Sequence, residues 1–275
     1  MMPPRAVADR PRTRGIRRGA YLLPSLFTIG NMLLGFYAVV CGLNERDFRK
    51  GALLVFFAAI LDSLDGRLAR MTGTESDFGK EYDSLADVIT FGAAPALLTY
   101  LWGLRDLARE AWLIPVFFMV CTATRLARFN VQTRVVDSRY FVGLPTPAAA
   151  GAICSLLFFA PDNTDKADDL RVIMQVVVAT ALLLVGALMV STFRYPSFKK
   201  FDLKKRWSYR AAVPFAAIVL VIIFIPRATF LVIAVLYTLY APLAAVIARL
   251  RPGGARPGGD PPPTPTEEPQ GDYLP

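Results

Sequence analysis

Gly51-Ala-Leu-Leu-Val-Phe-Phe-Ala-Ala-Ile-Leu61-Asp62-Ser-Leu-Asp65-Gly66-Arg67-Leu-Ala69-Arg70 opens as an apolar run and closes on acids and arginines. Gly79, Asp83 and Asp87 follow, the last pair at the start of another apolar run. Asp62 and Asp65 are three apart and Asp83 and Asp87 four apart, so each pair shares one face of a helix. The intervening loop is short enough for the two helices to be antiparallel neighbours, with the two carboxylate pairs facing one cavity. An aspartate at the centre of a membrane helix costs about 2.5–3.5 kcal/mol, less at a helix end. Four clustered like charges still repel, so either protons or cations must occupy the site. Oxygen ligands without His or Cys suit Mg²⁺, Mn²⁺ or Ca²⁺.

The rest of the chain sets this stretch in a membrane. Of 275 residues, 54% are hydrophobic and 19% charged, and the charges are bunched between apolar runs. Eight membrane segments are expected, at 21–42, 51–70, 86–103, 111–129, 144–160, 172–193, 211–225 and 228–249. The first is long enough to remain as a span rather than a cleaved leader. With the N-terminus inside, the segments 1–20, 67–85, 125–143, 194–210 and 249–275 hold 23 of the 31 Lys and Arg residues. That asymmetry puts both termini and the loop 71–85 on the cytoplasmic side. The expected architecture is therefore an all-α polytopic membrane helix bundle.

Composition also excludes chemistries. There is no histidine, which removes His bases, phosphohistidine and His-liganded zinc. Cys41, Cys121 and Cys154 sit in apolar runs without CxxC pairing and read as core. The net charge of +9 lies in loops and reads as topology signal and anionic-lipid contact, not nucleic-acid binding. Gly66 and Ala69 leave the helix surface bare for a nucleotide, Arg70 can pair with a diphosphate, and Gly79 gives the loop backbone freedom. Arg67, Lys80 and Glu81 read as solvated charges. A cation transporter is a different-class alternative, but it predicts acids on several spans, and no inverted repeat is visible.

The spacing D-x2-D-G-x2-A-R-x8-G-x3-D-x3-D, met at all eight fixed positions from Asp62 to Asp87, resembles the signature of the CDP-alcohol phosphotransferase family. A chance match at a given start is on the order of 10⁻⁹. The resemblance covers roughly 20–193, which implies a six-helix core over 21–193. The remainder would be a basic N-terminal segment 1–20, a basic loop 194–210, a C-terminal hairpin 211–249 and a disordered Pro/Gly-rich tail 250–275. The family's P-N-x-x-T element reads here Pro24-Ser25-Leu-Phe-Thr28, with Ser25 in place of Asn, and Ser76 stands where the family places a nucleotide-contacting hydroxyl.

The resemblance implies that Asp62, Asp65, Asp83 and Asp87 hold Mg²⁺ or Mn²⁺, that Asp87 is the catalytic base, and that Ser25, Thr28, Gly66, Ala69, Arg70, Ser76 and Gly79 bind the CDP-lipid. Arg125-Leu-Ala-Arg128-Phe-Asn130, the stretch from Gly143 to Gly151 and Phe193-Arg-Tyr-Pro196 resemble members whose acceptor is L-serine. Those members release phosphatidylserine and CMP from CDP-diacylglycerol. Arg125, Arg128 and Asn130 are the expected serine contacts, Arg being suited to a carboxylate; as plain lipid anchors they are equally well explained. Glycerol 3-phosphate or an inositol phosphate remains an alternative acceptor. The resemblance further implies a homodimer in the cell (inner) membrane with a cytoplasmic site.

Overall fold

A computed structural model describes residues 22–72, 76–132, 140–160, 168–196 and 224–250. Its helices are α1 (Leu22–Val40), α2 (Phe48–Thr72), α3 (Asp77–Asp87), α4 (Ala94–Trp102), α5 (Leu113–Gln132), α6 (Thr146–Phe159), α7 (Asp168–Val190) and α8 (Pro226–Leu250). A π-helical turn, Val88–Ala93, joins α3 to α4. The only sheet among the described residues is one antiparallel pair, β1 (Tyr140–Val142) with β2 (Arg194–Pro196).

Five helical stretches are long and apolar enough to cross a membrane: Leu26–Asn44, Asp77–Trp102, Leu113–Val131, Leu170–Val190 and Pro226–Ile247. Helix α2 has the length at 25 residues, but Asp62, Asp65 and Arg67 make its C-terminal half polar. Helix α6, 14 residues long, rises only about 21 Å at ~1.5 Å per residue and is buried on several sides. The chain is an integral membrane protein built as an all-helical bundle. Most of the expected span 211–225, the segment 1–20, most of the loop 194–210 and the tail 251–275 lie outside the described residues.

Small residues set the packing. Ala38, Ala52, Ala58, Ala94, Ala96, Ala149 and Ala150 are buried in the core. In lipid the hydrophobic effect does not press helices together, and small side chains let backbones approach. Gly35 of α1 lies directly over Thr90, where an added Cβ would sit 2.8 Å from the Thr90 Cα. Larger apolar side chains such as Leu33, Phe36, Val120, Leu184 and Leu236 are exposed and face the lipid.

The connection before Asp83 differs from the expected loop. Residues 77–87 are helical, and the Ser76 hydroxyl caps the helix by accepting the Gly79 N–H at 3.0 Å. An N-cap satisfies a backbone donor that the first helical turn leaves open. Gly79 is therefore a helical residue under its cap, not a loop hinge.

Candidate active site

The four aspartates come from two helices, as their spacing predicts. Oxygens of Asp62 on α2 and of Asp83 and Asp87 on α3 lie within 4.8 Å of one another. Asp65 stays beside this group rather than in it: it is buried and accepts a hydrogen bond from Thr28 Oγ1 at 3.5 Å. Asp87 is the last residue of α3, at the start of the π-turn. A π-turn offsets the helix face, and within it Thr90, Phe91 and Gly92 pack into the core while the carboxylate stays with its partners.

Helix α1 braces that carboxylate. Asn31, fully buried, donates from Nδ2 to Asp87 Oδ1 at 3.4 Å. The backbone carbonyl of Asn31 accepts the Thr90 hydroxyl at 3.1 Å. The close approach at Gly35 makes this contact geometrically possible. Asn31 was missed in the sequence; its signal was a single amide inside an apolar span, three residues after Thr28.

A cavity of about 870 Å³ opens beside the carboxylates. Asp62, Ser63, Gly66, Arg67, Asp83 and Asp87 line it. So do Arg125 of α5, Pro145 and Thr146 at the start of α6, and Phe230 and Tyr237 of α8. Arg125 is 8% exposed, donates from Nη1 to Thr146 Oγ1, and its Nε has no hydrogen-bond partner. Arg67 and Arg125 are the only cations among the described residues lining the cavity.

The other expected contacts fall as follows. Thr28 is engaged with Asp65, and Gly66 lines the cavity. Ser76 and Gly79 form the α3 cap. The side chains of Ser25, Ala69 and Arg70 lie outside the described residues. Arg128 is not on the cavity wall; its Nη1 reaches the Val190 carbonyl at 3.4 Å. Asn130 donates to Ser84 Oγ at 2.9 Å and Glu81 Oε2 at 3.3 Å, tying α5 to the aspartate-bearing α3. Glu81, read as a solvated charge, thus takes part in an interhelical contact.

The donor set fits a divalent cation. It consists of carboxylate oxygens alone, and Asp83 Oδ1 is buried with no hydrogen-bond partner. A buried oxygen left without a donor is stabilised by a hard cation.

The chain matches the family model described as CDP-alcohol phosphatidyltransferase over residues 21–185. It is 41% identical over 186 residues to the CDP-diacylglycerol–serine O-phosphatidyltransferase of Helicobacter pylori (strain J99), covering 66% of this chain and 74% of that one. The protein of that name from Methanocaldococcus jannaschii is 37% identical over 171 residues, covering 62% and 72%. The Bacillus subtilis one is 31% identical over 179 residues, covering 65% and 92%.

Proposed function

The chain belongs to the CDP-alcohol phosphatidyltransferase family, and we propose that it transfers the phosphatidyl group of CDP-diacylglycerol to L-serine, giving phosphatidylserine and CMP. The observation that carries this reading is a carboxylate cluster and one buried guanidinium lining the same cavity. The relatives named above support serine as acceptor.

Asp62, Asp83 and Asp87, with Asp65 adjoining, would hold Mg²⁺ or Mn²⁺. A divalent cation there supplies neutralisation of the diphosphate and stabilisation of the departing CMP. The chain's own groups do the rest. Gly66 leaves room for the nucleotide beside α2, with Thr28, Ser76, Gly79 and the α2 end at Ala69 and Arg70 around it. Arg125, with a free N–H on a buried guanidinium, pairs with the serine carboxylate. Arg128 and Asn130 brace the helix ends around that pocket. Asp87, oriented by Asn31, takes the proton of the serine hydroxyl. The serine oxygen attacks the phosphorus bearing the diacylglycerol, a new P–O bond forms, and the P–O bond to CMP breaks. This is one direct displacement.

The cation count bears on the acceptor. A phosphorylated alcohol brings a second negative charge and calls for further basic groups, whereas the cavity is lined among the described residues by Arg125 and Arg67. The positive-inside pattern supports a site on the cytoplasmic face of the cell membrane, and the family resemblance supports a homodimer.

The test is CMP release from CDP-diacylglycerol by membranes carrying the protein, with serine, glycerol 3-phosphate or inositol phosphate. Release with serine, abolished by chelation and restored by Mg²⁺ or Mn²⁺, is the expected result. Release with glycerol 3-phosphate and not with serine would overturn the acceptor.

A further inference from the structure

The family match ends at residue 185, yet a helix beyond it shapes the cavity. Phe230, Ile233, Ala234 and Tyr237 of α8 all line it. Their spacing of three, four and seven places them on one helix face. We propose that α8 is the closing wall of the acceptor pocket and that Tyr237 is a positioning and specificity-determining residue for the acceptor alcohol. This rests on the reading that serine is that acceptor.

The helix is held in register from both sides of the pocket. The Phe230 ring stacks on Phe56 of α2 at 4.9 Å and meets Phe158 of α6 edge-on at 6.2 Å. About two helical turns further, the fully buried Tyr195 donates its hydroxyl to the Thr238 carbonyl at 3.0 Å, and its ring lies 5.7 Å from that of Tyr237. Tyr195 belongs to β2, which pairs with β1 just before α6. The start of α6, bearing Thr146, and the Tyr237 turn of α8 are thus fastened through the same strand pair.

Between them sits Arg125. It donates to Thr146 Oγ1 and lies within electrostatic range of the Tyr237 phenol. Held by α6 through Thr146 and flanked by the α8 phenol, the guanidinium loses the freedom of a long side chain before the acceptor arrives, and preorganisation of this kind strengthens binding of a small ligand. The bulk of Tyr237 and Ile233 limits what fits beside it. A pocket bounded by an aromatic wall beside the Arg125 guanidinium accepts a small carboxylate-bearing alcohol and rejects a larger one.

The experiment uses the full chain in membranes or nanodiscs and reads serine KM, CDP-lipid KM and kcat separately. Tyr237→Phe keeps the ring and removes the hydroxyl. It is expected to raise serine KM roughly tenfold, the scale of one ordinary hydrogen bond, with CDP-lipid KM and kcat within about twofold. Tyr237→Ala is expected in addition to raise the rate with homoserine or threonine relative to serine. Leu236→Ala, one residue away and lipid-exposed at 67%, is the control and leaves all three constants unchanged. Ala234→Leu narrows the pocket from the same face and is expected to raise serine KM without raising CDP-lipid KM. An unchanged serine KM in Tyr237→Phe, or in Ala234→Leu should the tyrosine variants not fold, overturns this inference alone. Equal rises in both KM values overturn it too, because a merely structural role moves both. Absence of CMP release with serine by the unsubstituted protein would overturn the acceptor reading and this inference together.

Discussion

Replacing Asp87 by asparagine tests whether its carboxylate is a base as well as a ligand. The change is nearly isosteric, and an asparagine oxygen still accepts the Asn31 amide, so α3 keeps its place. What is lost is one negative charge among three whose oxygens lie within 4.8 Å. Two unit charges at that separation interact by roughly 3.5 kcal/mol at an effective dielectric of about 20. The attraction of one carboxylate for a bound dication is of at least that order, so Asp87→Asn weakens cation binding ~10²-fold or more. Loss of a general base lowers kcat by a further ~10²–10⁴-fold. The two losses separate when CMP release is measured across a wide range of Mg²⁺ or Mn²⁺, with Asp83→Asn in parallel. The Asp83 variant recovers as metal is raised, since its deficit is in binding. The Asp87 variant stays at least ~10²-fold down in kcat at saturating metal. Recovery of Asp87→Asn to near the unsubstituted rate at high metal would refute proton transfer through Asp87 and leave it a ligand only.

Three further outcomes follow from the packing around the site. Arg125→Ala removes a buried guanidinium and is expected to raise serine KM ~10²-fold, the scale of a charge-assisted pair, with a far smaller effect on CDP-lipid KM; Arg128→Ala, whose partner is the Val190 carbonyl, leaves serine KM close to the original. Asn31→Leu removes the brace on Asp87 and also the amide Oδ1 that is buried without a partner, an arrangement that costs ~1–3 kcal/mol; kcat is expected to fall while thermal stability in detergent holds or rises. Gly35→Ala brings a methyl to 2.7 Å from Thr90 Oγ1 and 2.8 Å from Thr90 Cα, so α1 must move off the π-turn; an overpacking penalty of about 1–3 kcal/mol is expected as a lower melting temperature, together with lost CMP release.

The aspartate site was legible because helical geometry converts spacing directly into shared faces. Asp62 with Asp65 and Asp83 with Asp87 needed only the 3.6-residue turn and a short connection. Five of the eight expected membrane spans were legible for an equally simple reason, the length of apolar runs. The Ser76 cap and the helical place of Gly79 were not legible, because a cap depends on which residue begins the helix, and the stretch from 71 to 85 carries too many charges to mark that point. Asn31 and Thr90 were illegible because each is a lone polar residue whose partner lies on another helix, at separations of 56 and 59 residues. Asn130 was placed at the pocket and holds α5 to α3 instead, a matter of side-chain direction that spacing does not fix. The wall contributed by α8 left no mark in the sequence: a helix apolar all round shows no preferred face.

Buried polar groups cluster around the carboxylates, and that arrangement links stability to function. Thr28 and Asn31 on α1, Asp65 on α2, Asp87 on α3, Arg125 on α5 and Thr146 on α6 are all buried. Each is costly in a lipid-embedded fold unless partnered, and their partners are one another: Thr28 with Asp65, Asn31 with Asp87, Arg125 with Thr146. Such pairs are satisfied only if the helix axes are fixed to a fraction of an ångström. Apolar packing in lipid does not supply that precision unaided, because hydrocarbon contacts between helices replace hydrocarbon contacts with lipid. The small-residue contacts do supply it, Gly35 against Thr90 above all, because a backbone in van der Waals contact has no room to slide. The glycine and alanine seams are thus a condition of the carboxylate geometry. A substitution there is expected to alter the metal dependence of CMP release before it unfolds the bundle, since the carboxylates tolerate less displacement than the apolar core.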